Sequence, residues 1–233
     1  MSDEPLAFEP EQFQGLARVF PLPNLVMFPH VMQAIHIFEP RYRALLEEAL
    51  ATDRLITMGT LLQHEDAGTP GAGDAARPPV APMACLCRVA THQRTPQGTY
   101  NVLLLGVRRL KLGAELPPMR PFRVFEGAIV EDLEPALPDE AAVTLQADLL
   151  AAFRRTLPQI PDAQEQLDQL IGAKVSLGML SDIVAYSLDV DPDWKLRMLA
   201  EPDVLRRTRM LVKALAARTS RGQRPFPPPF SRN

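Results

Sequence analysis

The stretch that decides the fold is Phe20-Pro-Leu-Pro-Asn-Leu-Val-Met-Phe-Pro-His30, which continues through Val31 and Met32 to Ile35-His-Ile-Phe-Glu-Pro-Arg-Tyr-Arg43. Pro21, Pro23 and Pro29 fix backbone angles and remove amide donors, so they mark where the chain enters and leaves the edge of a sheet. Between them, Leu25 to Met27 supplies a strand-like apolar anchor. The next five residues, Phe28, Pro29, His30, Val31 and Met32, combine apolar bulk with a proline that limits ladder pairing. Such a segment either closes a barrel or stays partly exposed at its rim. An exposed Val31 and Met32 would offer adaptable contact to varied unfolded chains. Downstream, Gln33 to Phe38 reads as a strand and Pro40 fits a first helical position. Tyr42, Leu45, Leu46, Ala49 and Leu50 then share one face, which predicts a helix over 40–52. Glu39, Arg41 and Arg43 bracket its start and are expected to form an ion pair that fixes the fold.

Working outward, the apolar residues before Pro138 come in short runs broken by Pro and Gly, which is the pattern of strands. Candidate strands are Ala17 to Phe20, Gln33 to Phe38, Leu55 to Gln63, Met83 to His92, Thr99 to Val107, Arg109 to Leu116 and Phe122 to Leu133. Few helices separate them, so a barrel or strongly curved sheet is expected rather than an open parallel one. Thr95 to Gly98 is a turn signal that makes Met83 to Val107 a hairpin. Gly106 marks a bend or bulge, with Arg108 and Arg109 pointing to opposite faces and one of them expected to be partly buried and paired. The Pro- and Gly-containing segment 64–82 reads as a long loop.

After Pro138 the period becomes helical. Helices are predicted over Leu145 to Leu157, Asp162 to Ile171, Ser176 to Ser187, Pro192 to Ala200 and Pro202 to Arg218, each set off by capping residues or prolines. The sequence therefore divides into a strand-rich subdomain over 15–134, a helical bundle over 139–218, and flexible tails at 1–14 and 219–233. The fold class is α+β.

Composition narrows the functions. With 46% hydrophobic and 23% charged residues the 233-residue chain is of the globular class, and 24 prolines are about twice the ordinary share of roughly 5%. No run approaches the roughly 18 apolar residues of a membrane span, and the acidic N-terminus is unlike a signal peptide, so a cytoplasmic protein is expected. Cys85 and Cys87 cannot make a disulfide framework. Eight basic residues and no acidic one lie between Val204 and Asn233, so in a chain of net charge -3 the remainder, with 17 basic and 28 acidic residues, carries -11. That basic end raises RNA binding as an alternative function. Against it stand the acidic body and an aromatic content of 6%, which leaves no obvious stacking platform.

The quoted stretch, Asp53-Arg54, the strand Leu55 to Leu62, the run Tyr100-Asn-Val-Leu-Leu-Leu-Gly-Val-Arg-Arg109 and the helical second half together resemble the LON N-terminal domain family over Ala17 to Ala217. The resemblance implies a PUA-like β-barrel joined to a helical bundle, the domain that engages substrates in ATP-dependent Lon proteases. No G-x-x-x-x-G-K-[ST] phosphate loop occurs in the sequence, so a stand-alone, non-catalytic module without ATPase or protease domains is expected. Its expected partners are unfolded or partner polypeptides.

Other chemistry is thinly represented. His30, His36, His64 and His92 with Cys85 and Cys87 lack a zinc-knuckle spacing, no nucleophile elbow is present, and neither cofactor nor metal is expected. The pro-rich tail Arg224 to Phe230 has the composition of a polyproline II segment. Protein binding is assigned to Phe28, Pro29, His30, Val31 and Met32. Structural roles go to Pro21, Pro23, Glu39, Arg41, Arg43, Gly106, Arg108 and Arg109.

Overall fold

The structure is a computed structural model that describes residues 8–62, 78–135, 140–156 and 175–219. Within them lie six strands and five α-helices in a mixed α+β fold: β1 (Leu16–Pro23), β2 (Met32–Ile37), α1 (Pro40–Ala51), β3 (Leu55–Leu61), β4 (Met83–Arg94), β5 (Tyr100–Glu115), β6 (Arg123–Val130), α2 (Glu140–Arg154), α3 (Leu177–Ser187), α4 (Pro192–Ala200) and α5 (Val204–Thr219). The helix expected over 162–171, residues 64–77 of the expected loop, and the tail from residue 220 lie outside the described residues. Two compact units result, Met1–Glu131 with Leu188–Ala200, and Asp132–Ser187 with Glu201–Asn233. Helix α4, which its sequence period places among the other helices, thus groups with the sheet and packs on β4.

In the first unit the strands run in the order β2-β5-β4-β3-β1-β6, and β6 pairs with β5 as well as β1. Only β1 and β3 are parallel, and β2 with α1 forms the crossover between them. The two strand candidates on either side of Arg108 are one continuous strand. Leu86 pairs with Arg108 and Cys87 with Gly106, so Val107 is an extra residue that bends β5 without ending it. A strand has two edges. One edge of β5 pairs with β4 from Tyr100 to Lys111, and the other is divided: β2 holds Tyr100 to Leu105, and β6 takes over from Arg109.

The residues inside this sheet include Ala17, Val19, Leu55, Ala84, Leu86, Val107, Leu110, Leu112 and Phe125, a single buried cluster. Each large side chain removed from water there stabilises the fold by about 1.5–3 kcal/mol. Cys85 and Cys87 are buried on β4 and are not joined in a disulfide. Arg18 on β1 organises the charged rim: its Nε donates to Glu48 (3.0 Å), Nη1 to Asp53 (2.8 Å) and the Leu55 carbonyl (3.2 Å), and Nη2 to Thr52 (3.0 Å). It thereby fastens the end of α1 and the start of β3 to β1. Arg120 joins through Glu48 at 2.8 Å. Burial alone would raise the Glu48 carboxyl, but the hydrogen bonds from Arg120 and Arg18 outweigh it and hold the group below its ordinary value of 4.5.

The helical unit is arranged around one buried guanidinium. Arg207 on α5 is fully buried; its Nη2 lies 2.6 Å from Asp132 Oδ2, its Nε donates to Ser181 Oγ at 2.9 Å, and its Nη1 donates to the Glu201 carbonyl at 2.8 Å. The equally buried Asp182 lies 3.5 Å from Nε. Ser176 accepts the Met179 N–H at 3.1 Å to cap α3, and Asp203 accepts the Arg206 N–H at 2.9 Å to cap α5. That second cap starts α5 at Val204, two residues later than the Glu201-Pro202 signal predicts.

Two outcomes follow for these charges. Arg207→Met should cost the helical unit about 3–5 kcal/mol, because it strands buried carboxylates, and urea unfolding followed by circular dichroism checks the loss. Glu48 titrates lower when folded than when unfolded, so its contribution is fully present above pH 4.5 and disappears as pH falls through the folded value. Glu48→Gln should therefore lower the melting temperature at pH 7 and flatten its dependence on pH below 4.5, as measured by thermal melts from pH 3 to 7.

Candidate functional site

The decisive local geometry is where the quoted stretch crosses β5. The main chain at Phe28 passes so close to Gly106 that an added Cβ would lie 2.1 Å from the Phe28 carbonyl oxygen. The Gly106 carbonyl accepts from the His30 N–H at 2.8 Å, and the Gly106 N–H donates to the Val31 carbonyl at 2.9 Å. His30 takes a positive φ of 64° to make this bulge. Phe28, Pro29 and Val31 are consequently buried, with Val31 only 8% exposed, while His30 and Met32 reach solvent. Of the two alternatives for this segment, core or rim, the structure shows a division: pairing with Gly106 turns Val31 inward, and Met32, 50% exposed, is the apolar side chain left outside.

The same register fixes the edges of β2. Because Val31 and Gly106 form a hydrogen-bonded pair, the alternation of an antiparallel ladder directs the N–H and C=O groups of Gln33, Ile35 and Ile37 toward β5. Those of Met32, Ala34 and His36 point the other way. The Ala34 carbonyl accepts from the Gln33 side chain at 2.8 Å, as an outward-facing oxygen can. Among the described residues no strand pairs with this outer edge of β2.

A parallel argument applies to β1. Gly127 N–H donates to the Gly15 carbonyl, which puts the amides of Ala17 and Val19 toward β6 and continues that parity to Pro21 and Pro23. The pairing with β6 stops at Val19, so both prolines place their missing donors on the edge that β6 has vacated. Their other edge remains on β3, opposite Gly59 and Leu61.

Beside the outer edge of β2 lies an apolar hollow of about 350 Å³, lined by Phe20 and Leu22 of β1, Leu25, residues Gln33 to Phe38, Glu39 and Tyr42. Phe20 and Tyr42 pack ring to ring with centroids 4.3 Å apart. Burial raises the Tyr42 hydroxyl above its ordinary titration range, keeping it neutral. The Leu25 carbonyl is held by Thr60 Oγ1 at 2.7 Å, and Phe38 stands 62% exposed at the foot of the strand. Glu39 is the one formally charged lining residue, and Arg41 lies 2.8 Å from its carboxylate. A second hollow of about 590 Å³ involves Ala34 to His36 with Thr91 to Gln93 and Asn101 to Leu103. His36 Nδ1 lies 2.8 Å from Asn101 Oδ1 there.

The other singled-out residues are dispersed. Glu39 and Arg41 form an ion pair at 2.8 Å with both side chains partly exposed, and the Arg41 guanidinium also stands 4.5 Å from the centroid of the buried Tyr42 ring. Arg43 donates to the Gly98 carbonyl at 3.1 Å and ties α1 to the β4–β5 turn. Arg108 spans the Phe8 ring at 5.3 Å and Glu131 at 3.7 Å, whereas Arg109 is 2% exposed inside the sheet. Leu22, Leu25, Phe38 and Tyr42 line the hollow without having been singled out as binding residues. Phe38 carried a readable signal, since an aromatic residue directly before a helix-starting Glu-Pro has no turn of helix to cover it. Among the described residues no cluster of His, Cys, Asp and Glu has the arrangement of a metal site.

The model of the ATP-dependent protease La (LON) substrate-binding domain matches residues 17–217. The chain belongs to that family. It is 24% identical over 198 residues to the Lon protease of Heliobacterium modesticaldum, covering 85% of this chain and 23% of that protein, and 26% identical over 202 residues to the Lon protease of Methylocella silvestris, covering 86% and 24%. The chain thus spans about a quarter of the length of the Lon proteases it matches. Two solved structures share the fold of this LON-family chain: a Lon N-terminal domain protein from Xanthomonas campestris (TM-score 0.60, 20% identity, 85% of this chain and 97% of that one) and the N-terminal domain of Mycobacterium avium complex Lon protease (TM-score 0.61, 18% identity, 86% and 98%).

Gly106→Ala should be among the most damaging single-methyl additions in this chain. The methyl group cannot fit beneath the Phe28 carbonyl, so either β5 or the Phe28–Val31 bulge must move. The expected loss is about 3 kcal/mol, at the top of the ordinary overpacking range, and chemical denaturation measures it.

Proposed function

We propose that this protein is a non-catalytic polypeptide-recognition module that binds extended segments of unfolded or partner proteins along the groove beside β2. The observation that carries the reading is the groove itself: apolar walls from three elements and little net charge, with Phe38 exposed on its lining and Met32 exposed at the far end of β2 beyond it. Such a surface recognises apolar side chains without demanding a particular charge, and the flexible thioether of Met32 adapts to different shapes. Membership of a substrate-binding domain family supports the assignment. Of the five residues from Phe28 to Met32, Phe28, Pro29 and Val31 are buried, which leaves His30 and Met32 as the ones we assign to contact with the partner. The return of the strand pairing from β6 to β5 supports a PUA-like barrel as the scaffold. The chain supplies recognition, and any ATP-driven or proteolytic step belongs to another polypeptide or another domain.

The double substitution of Met32→Ser and Phe38→Ser tests the reading. Both side chains are half or more exposed, so the melting temperature should stay within a few degrees of the parent. Affinity for a reduced, carboxymethylated model protein should fall by about tenfold or more, since two apolar side chains lose buried area on binding. Unchanged affinity measured by fluorescence anisotropy would reject the groove as the binding site.

A further inference from the structure

We propose that the bound segment is held as an added β-strand, paired antiparallel or parallel with the outer edge of β2 through the main-chain groups of Met32, Ala34 and His36. This rests on the polypeptide-recognition reading and specifies how recognition occurs. Those three residues present a row of N–H and C=O groups on the side of β2 opposite β5, and among the described residues that row has no strand partner. Only another extended backbone repeats donors and acceptors at that spacing.

The surroundings specify the occupant. Edge strands are commonly protected by charged residues, prolines or bulges, yet Met32-Gln-Ala-Ile-His-Ile37 contains neither a formally charged residue at neutral pH nor a proline. The bulge at His30 and Val31 lies before the strand and leaves its edge regular. On β1, Phe20 and Leu22, which line the hollow, direct their own amides toward β3, and Pro21 and Pro23 carry none, so β1 offers an incoming chain no donor. One wall can therefore pair with an incoming chain and the facing wall can only pack against it.

Side chains of an added strand alternate between two faces. One set meets Phe20, Leu22 and Tyr42, so the favoured segment carries neutral, apolar residues at every second position. The complementarity of charge agrees, because the single lining carboxylate, Glu39, is already matched by Arg41. An acidic or basic peptide would gain nothing there and would lose hydration. The occupant is thus an unfolded polypeptide segment of alternating apolar and small polar residues, with sequence preference set by the pattern rather than by individual side chains.

The experiment uses the full chain and synthetic nonapeptides alternating valine and serine, with free amides, with N-methylation on the valines, or with N-methylation on the serines. N-methylation removes donors from one edge of an extended peptide at a time. Strand addition predicts that the unmethylated peptide binds, that one methylated peptide binds within about threefold of it, and that the other loses tenfold or more. Ala34→Pro removes one outward donor from β2 and should weaken the unmethylated peptide by about tenfold. Equal affinity of all three peptides, with binding still lost in the Met32→Ser, Phe38→Ser variant, would overturn strand addition while leaving the groove as the site. No binding of any peptide or of the carboxymethylated protein would overturn both readings. A parent chain that sediments as a dimer and is made monomeric by Ala34→Pro would assign the edge to a second copy and likewise overturn the proposal. Should Ala34→Pro fail to fold, the pair of methylated peptides decides the matter with the parent protein alone.

Discussion

The approach of the Phe28 carbonyl to Gly106 is the constraint on which the sheet depends. At this point β5 exchanges one neighbour for another, β2 giving way to β6, and a strand edge can make that exchange only if something closes the gap. The main chain from Phe28 to Val31 closes it, with hydrogen bonds of 2.8 and 2.9 Å to the two polar groups of Gly106. The contact is possible because residue 106 has no Cβ. It also sets the parity of everything that follows in β2: which amides face β5, which face outward, and which side chains line the hollow.

The charged residues follow a different logic from the apolar ones. Arg18 and Arg207 each collect several oxygens from segments far apart in sequence, and each sits at a place where a strand or helix begins or ends. A guanidinium suits such places because its five donors can satisfy carboxylates and stray carbonyls together. Arg18 and its partners do not line the groove. Around β2 the protein keeps charge low, and the pair formed by Glu39 and Arg41 neutralises itself.

Much of this was legible in the sequence, for reasons that differ from residue to residue. Helix α1, the Thr95–Gly98 turn and the cap at Ser176 depend on neighbours within a few positions, so local pattern was enough. Gly106 was recognisable as a special backbone site, although its sequence could not say that the Phe28 carbonyl was the group requiring it. The burial of Val31 and the exposure of Met32 were not legible, because adjacent residues of a strand exchange faces with a one-residue change of register. Fusion of two strand candidates into β5 was hidden for a similar reason: a bulge at Val107 breaks the alternation without breaking the strand. The hollow beside β2 is lined entirely by residues between Phe20 and Tyr42, but their convergence depends on the pairing of this stretch with Gly106, which lies more than sixty residues away.

Pro21 and Pro23 have a consequence for where the ladder stops. Beyond Val19 the edge of β1 is no longer held by β6, and residues with amide hydrogens there could pair with any extended segment that met them. The two prolines remove that possibility while leaving the opposite edge of β1 on β3 undisturbed. The sheet thus carries its own selvedge at this corner, woven into the sequence rather than supplied by a covering loop.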